Sequence, residues 1–178
     1  MNSKHFLAIT ASGEDTVGLV EKLTERITQS GGNIEQSRMG VLGGQFSLIM
    51  LLSGEEFSLR VLESQLGALG GELGLTIVHK WTQERSRSQP VIPYRVEVVA
   101  MDHPGIVHGL ASFFARQHIN IEELATDVYA APHTGTPMFS VNMTVGVPAG
   151  VMISPLREAF LAYCDDLNLD ASLEPARA

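Results

Sequence analysis

The sequence predicts an α+β protein built twice over: two tandem βαββαβ modules, each an antiparallel sheet with helices on one face. Three observations predict it: two motifs recur at one spacing, apolar periodicity switches between two and about 3.6 residues, and glycine pairs punctuate the segments. Asp15-Thr16-Val17-Gly18-Leu19-Val20 aligns with Asp102-His103-Pro104-Gly105-Ile106-Val107, an offset of 87 residues. Asn33-Ile34-Glu35 aligns with Asn120-Ile121-Glu122 at the same offset. Phe46 then matches Phe139 at an offset of 93, and a six-residue insertion near Ala131–Thr136 accounts for the change.

In the first copy, residues 5–12 alternate or are apolar throughout and read as a strand. Gly13-Glu14-Asp15 is a turn. Val17, Val20, Leu23 and Ile27 fall at helical spacing, with Lys22, Glu25 and Arg26 opposite. Gly31-Gly32 stops that helix. A strand over 33–42 and the hairpin signal Gly43-Gly44 follow. Phe46, Leu48, Met50 and Leu52 share one face of the next strand. Leu59, Leu62, Leu66 and Leu69 predict a second helix ending at Gly70-Gly71, and Leu75 and Ile77 belong to the last strand.

The second copy repeats this order. Tyr94, Val96, Val98 and Ala100 alternate with Arg95 and Glu97. Val107, Leu110, Ala111 and Phe114 make a helix stripe. Residues 120–130 and 137–147 read as strands. Leu156, Phe160, Cys164 and Leu167 mark the second helix, and 169–174 the last strand. The polar, aperiodic stretch from Thr82 to Pro90 is a linker. The expected division is therefore residues 1–82, a linker over 83–92, and residues 93–178. Split βαβ halves of this order form ferredoxin-like sandwiches, a fold that hosts many functions.

Charge and composition exclude several classes. The formal net charge is −8, of which residues 1–82 carry −3 and residues 94–178 carry −6. Nucleic-acid binding needs Lys and Arg to neutralise phosphates, so direct contact with DNA or RNA is not expected. The same balance argues against an anionic membrane surface. No apolar run approaches the ~20 residues of a spanning helix, and the first residues carry no signal-peptide core. Cys164 is the single cysteine, so no internal disulfide forms, and a reducing cytoplasm is the expected setting.

The Asp-x-Pro-Gly-Ile-Val run followed by Asn-Ile at the second strand resembles the ACT domain family. The matching residues are Asp102, Pro104, Gly105, Ile106, Val107, Asn120 and Ile121. In the first copy they are Asp15, Gly18, Leu19, Val20, Asn33 and Ile34, with Val17 where the motif has proline. As a stand-alone pair, the chain resembles the glycine cleavage system transcriptional repressor family. The resemblance implies a regulator that senses an amino acid such as glycine, and a protein partner that is itself a DNA-binding activator. It also implies a homodimer or higher homo-oligomer and no cofactor. Ligands of such modules lie between two copies, one giving the turn and the other the strand start. That suggests Asp102 to Val107 with Asn33, or Asp15 to Val20 with Asn120.

The residues fit that chemistry. Asp102 is expected at a helix N-cap, Pro104 in the first turn, and Gly105 where a ligand can approach closely. Free N–H groups and the positive dipole end suit a ligand carboxylate, and Asn33 or Asn120 suits its ammonium. His103 is a candidate ligand hydrogen-bond partner, although a solvated histidine is the simpler reading. Asp, Pro and Gly are also ordinary turn residues, so the motif alone is divided between the two readings. The second copy keeps the full motif and is the stronger candidate for binding.

No metal site or catalytic residue is expected. The histidines are scattered rather than clustered. Cys164 sits in a helix stripe and is expected to be buried, and Met138, Met143 and Met152 read as core filler. An enzyme on this fold would need a nucleophile beside a base, and no such spacing stands out. A third reading is an assembly protein whose modules only pair through sheet edges.

Overall fold

The computed structural model describes residues 4–83 and 90–176. Two compact units lie on either side of the stretch between residues 82 and 91. The first contains β1 (His5–Glu14), α1 (Leu19–Gln29), β2 (Asn33–Leu42), β3 (Gln45–Gly54), α2 (Glu56–Leu73) and β4 (Leu75–Thr82). The second contains β5 (Val91–Met101), α3 (Ile106–Arg116), β6 (Asn120–Ala130), β7 (Pro137–Pro148), α4 (Ile153–Asp166) and β8 (Asp170–Pro175). The sheet orders are β2-β3-β1-β4 and β6-β7-β5-β8, antiparallel throughout. Both are the ferredoxin-like arrangement the periodicity predicts.

Strand alternation produces the cores. In the first unit, Leu7, Ile9 and Ala11 of β1 and Phe46, Leu48, Met50 and Leu52 of β3 are buried against α1 and α2. In the second, Val96, Val98 and Ala100 of β5 and Val141, Met143 and Val145 of β7 play the same part. Phe113, Phe114 and Phe160 fill its centre, with ring centroids 5.2–5.3 Å apart. Burying each such side chain contributes about 1.5–3 kcal/mol relative to exposing it.

The repeat extends into backbone conformation. Gly18 and Gly105 precede α1 and α3 with φ of 95° and 98°. Gly31 and His118 follow those helices with φ of 79° and 56°. Gly74 and Asn168 follow α2 and α4 with φ of 67° and 56°. His118 and Asn168 show that the left-handed turn is required even where glycine does not supply it.

Several local expectations need correction. Val17 lies outside α1 and is fully exposed, and Val20 is also exposed; Leu19, Leu23 and Ile27 form the buried stripe. In α3 the buried residues are Ile106, Leu110, Phe113 and Phe114, while Val107 is only partly buried. Both shifts follow from helices that begin after the left-handed glycine. Helix α2 runs through Gly70-Gly71 to Leu73 and is capped by Gly74. A Cβ on Gly70 would stand 2.6 Å from the Leu75 carbonyl oxygen, so this glycine serves close packing rather than a helix stop. Leu167 caps α4 and is exposed, and Met152 is exposed rather than core. Residues 91–92, expected as linker, belong to β5; residues 84–89 of that linker lie outside the described residues.

Candidate ligand site

The turn between β5 and α3 lines an open cavity of about 430 Å³. Its walls are Asp102, His103, Pro104, Gly105, Ile106, Val107 and His108, with Phe139 from β7. The turn is latched by the Asp102 N–H, which donates to the Pro137 carbonyl at 3.1 Å. The corresponding turn in the first unit uses the Asp15 N–H and the Gly44 carbonyl at 3.0 Å. A hairpin end therefore fixes each turn against its sheet.

Asp102 is not the N-cap that its motif position suggests. Gly105 holds that position, Pro104 precedes the helix, and no side chain caps α3. Rotation of Gly105 into positive φ places the N-cap three residues beyond Asp102 and starts the helix at Ile106. The leading N–H groups of α3 have no intrahelical partners. Near them, His103 Nδ1 lies 3.1 Å from the Pro104 carbonyl oxygen, and His108 Nε2 lies 3.5 Å from Ser112 Oγ.

The two turns share a backbone and differ in charge. Helix α1 carries Glu21 in its first turn, whereas α3 has no acidic residue there and places His108 at the matching position. Glu21 Oε2 lies 3.9 Å from the point a Cβ on Gly18 would occupy. The first unit thus brings its own carboxylate to the helix start, which the dipole favours. The second leaves that place open. Phe46 and Phe139 mark a further difference, since Phe46 is buried while Phe139 is partly exposed in the cavity wall.

The strand starts differ as well. Asn33 is exposed at the head of β2, and Ile34 behind it packs against the core. A β-bulge falls at Glu35, between Ile34 and Gln36. Glu35 Oε1 accepts hydrogen bonds from Asn33 Nδ2 at 3.1 Å and from Ser53 Oγ at 2.5 Å, and Lys4 Nζ lies 2.8 Å away. Lys4 first, then Ser53 and Asn33, lower the carboxyl pKa to about 2. In the second unit Asn120 is exposed, Ile121 packs against the core, and the bulge falls at Glu122. There Gly146 pairs with Asn120 as Ser53 pairs with Asn33. Glu122 Oε1 lies 2.8 Å from the point a Gly146 Cβ would occupy.

The turn residues expected from sequence, Asp102 to Val107, thus share one cavity, and His108 and Phe139 join them. The first-copy residues Asp15, Gly18 and Leu19 form the matching turn, and Asn33, Ile34, Asn120 and Ile121 stand at the strand starts. Phe139 was visible only as the partner of Phe46 in the repeat. Glu35 was visible only as the third residue of the repeated Asn-Ile-Glu. Among the described residues, no group of three or more His, Cys, Asp or Glu side chains is placed to hold a metal ion. No helix of these residues is long and apolar enough to cross a membrane.

Two ferredoxin-like modules carrying this turn and strand start define a tandem ACT-domain protein, and the ACT domain family matches residues 5–80. The glycine cleavage system transcriptional repressor of Escherichia coli (strain K12) is 35% identical over 97% of this chain and 91% of its own length. A crystal structure assigned to a glycine cleavage system transcriptional repressor has a TM-score of 0.74 at 27% identity, covering 98% of this chain and 99% of that one. A protein from Galdieria sulphuraria has a TM-score of 0.83 at 26% identity, covering 98% and 100%. The chain belongs to the glycine cleavage system transcriptional repressor family.

Proposed function

We propose that this protein is a non-catalytic regulator that senses an amino acid and acts on a transcriptional activator by protein contact. The observation that carries the reading is the α3 turn. It opens on a cavity, has no side-chain cap and lacks the carboxylate that α1 brings to its own turn. Unpaired N–H groups at a positive dipole end suit the ligand's carboxylate. Asp102 supplies negative charge on the same cavity, and Asn33 and Asn120 are the candidate acceptors for an ammonium. Such a site suits a zwitterion better than a simple anion. Glycine is the first ligand to try, because the Escherichia coli relative is a glycine cleavage system transcriptional repressor.

Contact with a protein rather than DNA follows from the net charge of −8. Edge strands β2 and β6 expose Met39, Val41, Leu124 and Val128. Open edges with apolar side chains favour a partner chain, either the activator or a second copy.

Thermal melts of the purified chain against the twenty amino acids test the reading. A ligand that binds only the folded state adds ~2.7 kcal/mol at a hundred times its dissociation constant. A saturable shift with one amino acid, reduced in Asp102→Ala, is expected. No shift with any of them would remove amino-acid sensing from the account.

A further inference from the structure

We propose that the partner protein docks on the open face of the second sheet, and that the segment it lays there is a basic amphipathic helix. This names the partner surface of the regulatory reading given above and rests on it. Helices cover one face of the sheet β6-β7-β5-β8, and residues directly opposite each other on neighbouring strands share a face. Tyr129, Met138 and Met101 stand in one row of the uncovered face. Asp127, Ser140, Val99 and Asp170 form the next. Met101 is 67% exposed, and Asp127 and Asp170 are exposed as well.

This pattern has the width and chemistry of one helix. Neighbouring strands lie about 4.8 Å apart, so Asp127 on β6 and Asp170 on β8 stand about 14 Å apart, astride Val99. A helix with its side chains is about 10–12 Å wide. Laid along the strands, it rests an apolar stripe on Val99, Met101 and Met138, and methionines adapt to the shape of what they meet. Its flanking Lys or Arg stems then carry their charged heads to the two carboxylates. Neither aspartate belongs to an ion pair among the described residues. Further along the same face a cavity of about 540 Å³ opens on Arg95, Glu97, Ser172 and Glu174, and its two carboxylates suit a further cationic side chain. A DNA-binding activator carries such basic segments, because it must neutralise phosphates.

The first unit builds the same sheet without these charges. At the positions of Glu97, Asp127, Asp170 and Glu174 it has Thr10, Gly40, Thr76 and Lys80. The fold therefore does not require four carboxylates on this face, and the acidic surface is a property of the second unit alone.

The test uses the full chain and a synthetic amphipathic peptide, leucine on one face and lysine on the others, followed by fluorescence anisotropy. The same peptide with glutamate for lysine is the control. The lysine peptide is expected to bind and the glutamate peptide not to. Asp127→Asn with Asp170→Asn, two exposed isosteric changes, should weaken binding about tenfold, and Met101→Ser should weaken it too. Asp165→Asn with Asp166→Asn removes the same charge at the end of α4 and should leave the affinity within about twofold. NMR shifts caused by the peptide should fall on the outward residues of β5, β7 and β8. In cells, repression of a glycine cleavage reporter should be relieved by the Asp127→Asn, Asp170→Asn pair and kept by the Asp165→Asn, Asp166→Asn pair. No peptide binding, equal weakening by the two pairs, or shifts confined to the β6 edge would overturn the proposal. A dimer of the chain that dissociates in the Asp127→Asn, Asp170→Asn pair would place a second copy on this face and also overturn it. Repression undiminished in that pair would overturn it and leave the regulatory reading intact. If the wild-type chain repressed nothing, the regulatory reading itself would fall, and the proposal with it.

Discussion

Replacing Gly105 by alanine probes the turn with one methyl group. Gly105 has φ of 98°, past the centre of the left-handed region, and a Cβ built there meets nothing within 4 Å. The cost is therefore backbone strain without a clash, about 1–2 kcal/mol for an L-residue. Alanine returns about 0.4–1 kcal/mol by restricting the unfolded chain. The net destabilisation is about 1 kcal/mol, a fall of about 4–8 °C in the midpoint of a unit this size. Spectroscopy can assign the effect to a unit. Trp81 is the only tryptophan and lies in the first unit, while all three tyrosines, Tyr94, Tyr129 and Tyr163, lie in the second. The tyrosine-reported urea transition should weaken in Gly105→Ala. Gly40→Ala is the control: its φ is not positive and its Cβ is unobstructed, so strand propensity should make the change neutral or stabilising. A tyrosine transition unchanged or raised in Gly105→Ala would refute the left-handed turn and the helix start built on it.

Other outcomes follow from the same structure. Phe160 is fully buried against Phe113 and Phe114, so Phe160→Ala should cost about 3–5 kcal/mol by denaturant titration of the second unit. Cys164 is 1% exposed, and burial pushes its thiol up to about 11, with Asp165 adding to the shift. A thiol reagent at neutral pH should label it only at the rate the unit opens, and fast labelling of the native chain would contradict that burial. The Glu35 carboxyl is held at about 2, below its ordinary value of 4.5. Its stabilisation is fully present above pH 4.5 and is lost as pH falls through 2. Acid titration of Glu35→Gln should lack this component between those values.

Much of the fold was legible because the repeat fixes two modules with one pattern. The alternation in Phe46, Leu48, Met50 and Leu52 could satisfy only a half-buried strand. Helix ends were less legible, since a sequence does not reveal which glycine adopts positive φ. Gly18 and Gly105 shift the helix starts, so Leu19 replaces Val17 and Val20, and Ile106 replaces Val107, at the head of the buried stripes. Gly70 looked like a stop because its reason for being glycine, the Leu75 carbonyl, is a tertiary contact. The turn residues of the candidate site came from a local motif and lie together for that reason. Phe139 and the Lys4–Glu35–Ser53 cluster depend on strand pairing across the sheet, and no local spacing encodes them.

In the proposed function the α3 turn binds ligand because it lacks the first-turn carboxylate that α1 carries. His108→Glu installs that carboxylate at the matching position. It should not destabilise the helix, since an acid in the first turn is favoured by about 0.3–1 kcal/mol. Calorimetric titration of glycine into this variant and the wild-type chain is the most direct test. Binding at least tenfold weaker, about 1.4 kcal/mol, is expected, with the melting midpoint unchanged or raised. Glycine binding of equal strength in both proteins would contradict it.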